Sequence, residues 1–166
     1  MRRLLLVLLL LVLAGSAAAS LTGNTPDTVK APGTGTPSGP NPGIRITGDT
    51  IADPFATGPL PFGATGTTVG AFHDYDEVCP YSGSLAPDVV YAYSPTAGIQ
   101  AICIDLCYSS FDTKVYVYDN TWTPGSPYAC NDDFYFAAPC YTYSSKIECM
   151  PVIVGNTYYI VVDGYG

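Results

Sequence analysis

Basic residues are scarce in this chain. Six Lys and Arg face fourteen Asp and Glu, for a net charge of −8. Two of the six, Arg2 and Arg3, sit at the extreme N-terminus, which leaves Lys30, Arg45, Lys114 and Lys146 for everything else. A surface so short of cations repels phosphate backbones and anionic lipid, which argues against nucleic acid and membrane surfaces as partners. Histidine is rarer still, with His73 alone. One imidazole and no CxxC pair leave a zinc site without ligands. There is no GxSxG elbow, and a Ser–His–Asp arrangement would have to use His73 inside the acidic stretch His73-Asp74-Tyr75-Asp76. The sequence therefore reads as a non-enzyme. Glycosidase chemistry needs only two carboxylates in a cleft, so a small secreted hydrolase survives as the weakest alternative. Helical periodicity is also missing. The one long apolar run, Leu4–Leu13, is too short to span a bilayer as a mature helix.

That run has another use. Arg2 and Arg3, the run itself and the small residues Ala17, Ala18 and Ala19 follow the pattern of a secretory signal peptide, with cleavage expected after Ala19. An uncleaved anchor is the competing reading. Export places the product outside the cytoplasm, secreted or in the periplasm or at the cell surface, with no membrane span after cleavage. Residues 20–43 are mostly Thr, Gly and Pro without apolar periodicity, a composition that cannot bury a core and reads as a tether. The folded unit is expected over 44–166.

Within it, alternating β-branched and aromatic runs are separated by Gly, Pro, Asn and Asp clusters. The pattern predicts strands near Leu60–Ala64, Val89–Tyr93, Ile99–Leu106, Lys114–Tyr118, Lys146–Met150 and Tyr158–Val162. In the third, Ile102, Ile104 and Leu106 share one face while Cys103, Asp105 and Cys107 share the other. In the fourth, Val115 and Val117 point inward, and Lys114, Tyr116 and Tyr118 face out or across. Such period-two patterning predicts an all-β fold, an antiparallel β-sandwich with one buried face per sheet. The last strand, the most apolar, is followed by Asp163-Gly164-Tyr165-Gly166, a turn that usually introduces another strand, so a closing strand is expected to be missing.

Four stretches resemble a known family. Ser109-Ser110-Phe111-Asp112-Thr113-Lys114-Val115-Tyr116-Val117-Tyr118-Asp119 is similar to the S-x-D-T-x-L/V-Y-V-Y-D strand of bacterial pre-peptidase C-terminal (PPC) domains. Val154-Gly155-Asn156-Thr157-Tyr158-Tyr159-Ile160-Val161-Val162-Asp163-Gly164 resembles their x-G-x-T-Y-Y-I-x-V-D-G strand. Cys130-Asn131-Asp132-Asp133 looks like their C-N-D-D loop, and Asp88-Val89-Val90-Tyr91-Ala92-Tyr93 like their D-V-V-Y-x-Y/F strand. The likeness implies a jelly-roll-like β-sandwich. It also implies a non-catalytic module of an exported bacterial protein, one that assists secretion, surface attachment or substrate binding.

Six cysteines in an exported chain read as disulfides. Cys130 and Cys140 flank a short aromatic loop and are expected to pair. Cys107 and Cys149 end two strands and form the second expected pair. Cys79 and Cys103 remain, either joined to each other or with one partnered beyond the segment. Cys103 and Cys107 cannot join each other while both lie on one strand, because four residues span about 13 Å.

Asp112, Asp119, Asn131, Asp132 and Asp133 fall at strand ends or in adjoining loops and are candidate calcium ligands, since calcium takes about six to eight oxygens from carboxylates, amides and carbonyls. Asp74, Asp76 and Glu77 form a second acidic group without EF-hand spacing. Turn capping and plain solvation account equally for both. Trp122, Tyr128, Phe134, Tyr135 and Phe136, with Tyr141 and Tyr143, crowd a region that cannot hide them all. They suit either a surface for glycan, matrix or protein, or a small satellite core under a loop. A third outcome is self-assembly, in which an unpaired sheet edge takes a strand from another chain in a surface layer or fibre.

Overall fold

The computed structural model describes residues 14–16, 45–79 and 83–165. The expected leader and tether lie outside these residues except for Ala14–Ser16. Among the described residues there is no helix, and regular structure consists of strands β1 (Ala14–Ser16), β2 (Phe55–Ala56), β3 (Val89–Tyr93), β4 (Ala101–Asp105), β5 (Thr113–Asp119), β6 (Ala129–Asp132), β7 (Lys146–Pro151) and β8 (Tyr158–Gly164). The chain is all-β, and no described helix is long and apolar enough to cross a membrane.

The strands form a five-stranded sheet, ordered β2-β3-β8-β5-β6, and a three-stranded one, ordered β1-β4-β7. The long ladders are antiparallel: β3–β8, β5–β8, β5–β6 and β4–β7. The short contacts β1–β4 and β2–β3 are parallel, so the sheets are mixed where the sequence predicts antiparallel pairing throughout. Side-chain alternation says which face is buried and carries no information on strand direction.

One core draws on both sheets. Val89, Tyr91, Val115, Val117, Ile160 and Val162 from the larger meet Ile102, Ile104, Ile147 and Met150 from the smaller, all buried. These are the inward positions of the predicted alternation, and each such side chain contributes roughly 1.5–3 kcal/mol by leaving water. Leu60–Ala64 is not a strand. Pro59 and Pro61 remove two ladder donors there, yet Leu60, Phe62 and Ala64 still turn together onto the core. β6 was not expected as a strand, because Cys-Asn-Asp reads as turn chemistry; pairing with β5 overrides that local preference.

The larger sheet is buried on both faces. Lys114, Tyr116 and Tyr118 were expected at the surface or across it, but they are essentially inaccessible, as is Val161. The irregular chain before β3 lies over them, with Tyr75 and Cys79 packed on Val90, Tyr116, Tyr118 and Val161. Polar anchors hold this cover in place. Lys114 Nζ donates to the Glu77 carbonyl at 2.8 Å, and the Tyr118 hydroxyl donates to Glu77 Oε1 at 2.7 Å. Glu77 Oε2 accepts from the Gly125 N–H.

The disulfides are Cys79–Cys130, Cys103–Cys149 and Cys107–Cys140, so all three expected pairings are corrected. Cys130 points outward from β6 and meets the cover segment. Cys103 and Cys149 sit across from each other where the β4–β7 ladder bulges between Ile102 and Ile104, with Cα atoms 4.1 Å apart. Cys107 meets the end of the aromatic loop, where the Tyr141 N–H donates to its carbonyl.

Candidate metal centre and aromatic surface

β5 and β6 pair with Lys114 opposite Asp132. That register brings the residue just before β5, Asp112, alongside the residues that close β6, Asp132 and Asp133. One carboxylate oxygen from each of the three lies within 4.8 Å of the others. Asp132 is only 6% exposed, and Asp112 and Asp133 are half-buried. Asp112 Oδ1 and Asp132 Oδ2 are buried without a hydrogen-bond partner. Buried polar atoms are normally satisfied, so these two acceptors call for a partner of the kind an ordered water or a cation supplies.

The electrostatics agree with the geometry. Burial, reinforced by Asp133 and Asp132, pushes the Asp112 carboxyl up to about 7. Asp132 rises to about 6 through burial and the neighbouring Asp133, with Lys114 pulling the other way. Burial also raises Asp133. Without a cation these groups hold protons more tightly than exposed carboxylates do. A hard divalent cation supplies what the three oxygens lack, and calcium suits an all-oxygen set of this kind.

Asp119 and Asn131 do not join the cluster. Asp119 closes the far end of β5, six residues from Thr113 and so about 20 Å away, where both its oxygens accept from Asn156 Nδ2. Asn131 sits between the right neighbours in sequence but alternates to the opposite face, and its Oδ1 accepts from the Lys146 N–H. The second acidic group is consumed internally. Asp74 pairs with Arg45, Asp76 faces Lys114 at 3.4 Å and accepts from the Gly83 N–H, and Glu77 anchors the cover described above. His73 is exposed.

Three buried acids, Asp49, Asp88 and Asp163, were missed in the sequence. Asp163 accepts from the Tyr116 hydroxyl and Ser84 Oγ, and burial pushes it up to about 7. Asp88 accepts from the N–H groups of Asp74 and Tyr75 and rises to about 8, again chiefly through burial. By sequence, Asp163 falls in the turn after the last expected strand, whereas β8 runs on to Gly164, and nothing in the sequence signals that the outer face is covered.

The aromatic candidates divide. Trp122 packs edge-on against Tyr75 at 5.5 Å, and Tyr128 packs edge-on against Tyr158 at 5.7 Å with its hydroxyl on the Pro151 carbonyl. Phe134 and Tyr135 pack against each other beneath Lys146 Nζ, and the Tyr135 hydroxyl donates to Asp105 at 2.9 Å. Phe136 is different: it is 67% exposed and touches Tyr143 edge-on at 6.0 Å. Tyr108, which the sequence did not single out, is 61% exposed. Searches of protein families, characterised proteins and solved structures find no match for this chain.

Proposed function

We propose that this chain is a non-catalytic, secreted accessory module of an exported bacterial protein, of the PPC type, built as a β-sandwich that calcium stabilises. The observation that carries the cation part is the convergence of Asp112, Asp132 and Asp133 with two buried oxygens lacking a partner. Three disulfides fit an oxidising compartment, and the apolar leader supports export. A bound ion ties the start of β5 to the end of β6 and adds stability only to the folded state, about 2.7 kcal/mol when calcium exceeds its dissociation constant a hundredfold.

Calorimetric titration of dialysed protein with calcium chloride tests this reading. One ion per chain is expected, lost in Asp132→Asn and kept in Asp119→Asn. No heat of binding, or equal loss in both variants, would refute it.

The β4 edge favours a second reading, as an assembly subunit. Among the described residues, one side of β4 pairs with β7 and the other carries only Ala14–Ser16, which the expected cleavage after Ala19 would remove. An apolar cleft lined by Leu60, Phe62, Tyr91, Ile102 and Ile160 opens beside it. A donated strand would fill that place. Sedimentation of protein lacking residues 1–19 decides between the readings: concentration-dependent polymers support assembly, and a monomer at all concentrations removes it.

A further inference from the structure

We propose that Cys103–Cys149 is a reversible thiol-exchange site, opened by a dithiol, and that the other two disulfides are permanent staples. The inference goes beyond the calcium reading and does not depend on it.

The three bonds differ in what they join. Cys79–Cys130 fastens the irregular cover to β6, and Cys107–Cys140 fastens the aromatic loop to the segment after β4. Among the described residues, neither bond lies within a strand ladder. Cys103–Cys149 does. The β4–β7 ladder already pairs Ala101 with Pro151, Ile102 with Met150, Ile104 with Ile147 and Asp105 with Lys146. On the other face of these strands Ile102, Ile104, Ile147 and Met150 are buried in the common core. With the sulfurs separated, those backbone bonds and that burial still hold β4 against β7. The bond can therefore open and close while the fold around it stays in place.

They differ also in access. Cys79 and Cys107 are only 7% and 8% exposed, and their partners Cys130 and Cys140 are half-buried. Cys149 is exposed and Cys103 half-buried. The bulge explains this: Cys103 faces two residues across the ladder, Glu148 and Cys149, and both turn outward. The outer face of the smaller sheet is open at this point, with Ala101 and Pro151 exposed as well, whereas the outer face of the larger sheet lies under its cover. Along the β4 edge Ala14 stands opposite Cys103, and the expected cleavage after Ala19 would bare that side too.

Exchange begins when a thiolate reaches a disulfide sulfur, so access decides which bond reacts. The thiolate of an incoming dithiol attacks Cys149 Sγ. A mixed disulfide forms, the Cys103–Cys149 bond breaks, and Cys103 Sγ leaves as a thiolate that takes a proton from solvent. The second thiol of the reagent gives up its proton, attacks its own sulfur in the mixed disulfide and closes the reagent's ring. Cys149 Sγ leaves and is protonated in turn. Two electrons and two protons pass from the dithiol to the protein. The partner class is a dithiol because its second sulfur is already held beside the mixed disulfide, which makes the resolving step intramolecular.

Reduction of the full chain by dithiothreitol without denaturant, quenched at intervals with iodoacetamide and read by peptide mass spectrometry, tests the proposal. Cys103 and Cys149 are expected to be alkylated together, about tenfold or more ahead of the other four cysteines. Circular dichroism of the partly reduced protein should match that of the oxidised protein, and oxidised dithiothreitol added to an unquenched portion should restore the bond. The proposal is overturned if Cys79–Cys130 or Cys107–Cys140 opens as fast, if the sheet signal is lost as Cys103–Cys149 opens, or if the bond does not re-form.

Discussion

Removing calcium and changing the pH should act on the same three carboxylates, and the sign of their coupling follows from the burial of Asp132. An acid whose folded value lies above its unfolded one stabilises the fold when protonated. That stability is complete below the unfolded value and is lost as pH rises through the folded value. For Asp132 the rise from 3.8 to about 6 corresponds to about 3 kcal/mol. Asp112, at about 7, titrates jointly with it, so the cluster as a whole is placed at a few kcal/mol rather than the sum. Dialysed protein therefore loses stability between about pH 4 and about pH 8. Calcium replaces the protons and restores that stability, and its affinity rises with pH as fewer protons must be displaced. The assay is thermal unfolding followed by circular dichroism, with and without added calcium, at several pH values. Because Asp88 and Asp163 also favour acid, the quantity to read is the difference between the calcium and dialysed melting temperatures at each pH. It should be about 2 °C or less near pH 5 and about 8–12 °C near pH 8. A difference that is flat or shrinks as pH rises would refute the reasoning.

Three further perturbations test the rest of the fold. Replacing Cys79 and Cys130 together by Ser opens a loop with a sequence separation of 51, which should cost about 4 kcal/mol and expose the outer face to hydrogen exchange before the inner core. Tyr116→Phe removes the hydroxyl that donates to Asp163 at 2.8 Å; urea unfolding should show a loss of about 1–3 kcal/mol, as expected for a bond to a buried charged or chargeable group. Gly48→Ala asks a residue at φ +88° to carry a side chain whose Cβ would fall 2.0 Å from the Phe55 ring, so a loss of about 2–4 kcal/mol is expected from backbone strain and overpacking combined.

The all-β class and five of the six predicted strands, β3, β4, β5, β7 and β8, were legible in the sequence because a buried inner face leaves an apolar alternation there. In β7 the two inward residues, Ile147 and Met150, lie three apart and reach the same core because the ladder with β4 bulges between them. What stayed hidden is everything that depends on which strands become neighbours. Cys103 and Cys149 pair because β4 lies beside β7, and no spacing within either strand says so. Asp112 and Asp132 meet because β5 and β6 pair in one particular register. The same register sends Asn131 to the other face and leaves Asp119 at the far end, so a set of five candidates chosen by proximity to strand ends becomes three. The cover over the outer face was least legible of all. The chain before β3 has no periodicity, and its contribution comes from single anchors such as Glu77, Asp88 and Cys79.

The scarcity of bases gives those anchors a common logic. With few lysines and arginines to pair with, the carboxylates draw their donors from tyrosine hydroxyls and backbone N–H groups. Asp163 takes Tyr116, Ser84 and the Gly164 N–H. Glu77 takes Tyr118 and the Gly125 N–H. Asp105 takes Tyr135 and the Cys107 N–H, and Asp88 takes the N–H groups of Asp74 and Tyr75. A chain rich in tyrosine can therefore bury acids without burying matching bases, since each donor neutralises part of the charge at little desolvation cost. Asp88 keeps one buried oxygen without a partner as well, so what distinguishes Asp112, Asp132 and Asp133 is that their carboxylates gather within 4.8 Å of one another. No tyrosine reaches the buried oxygens of Asp112 and Asp132, although Tyr135 and Tyr143 lie in the loop that Asp133 begins. A site that needed only neutralising could have been supplied from the same stock of phenols. Three acids gathered without such a donor leave room for a partner that the chain does not itself provide, and a divalent cation is the partner whose charge and oxygen preference fit the space.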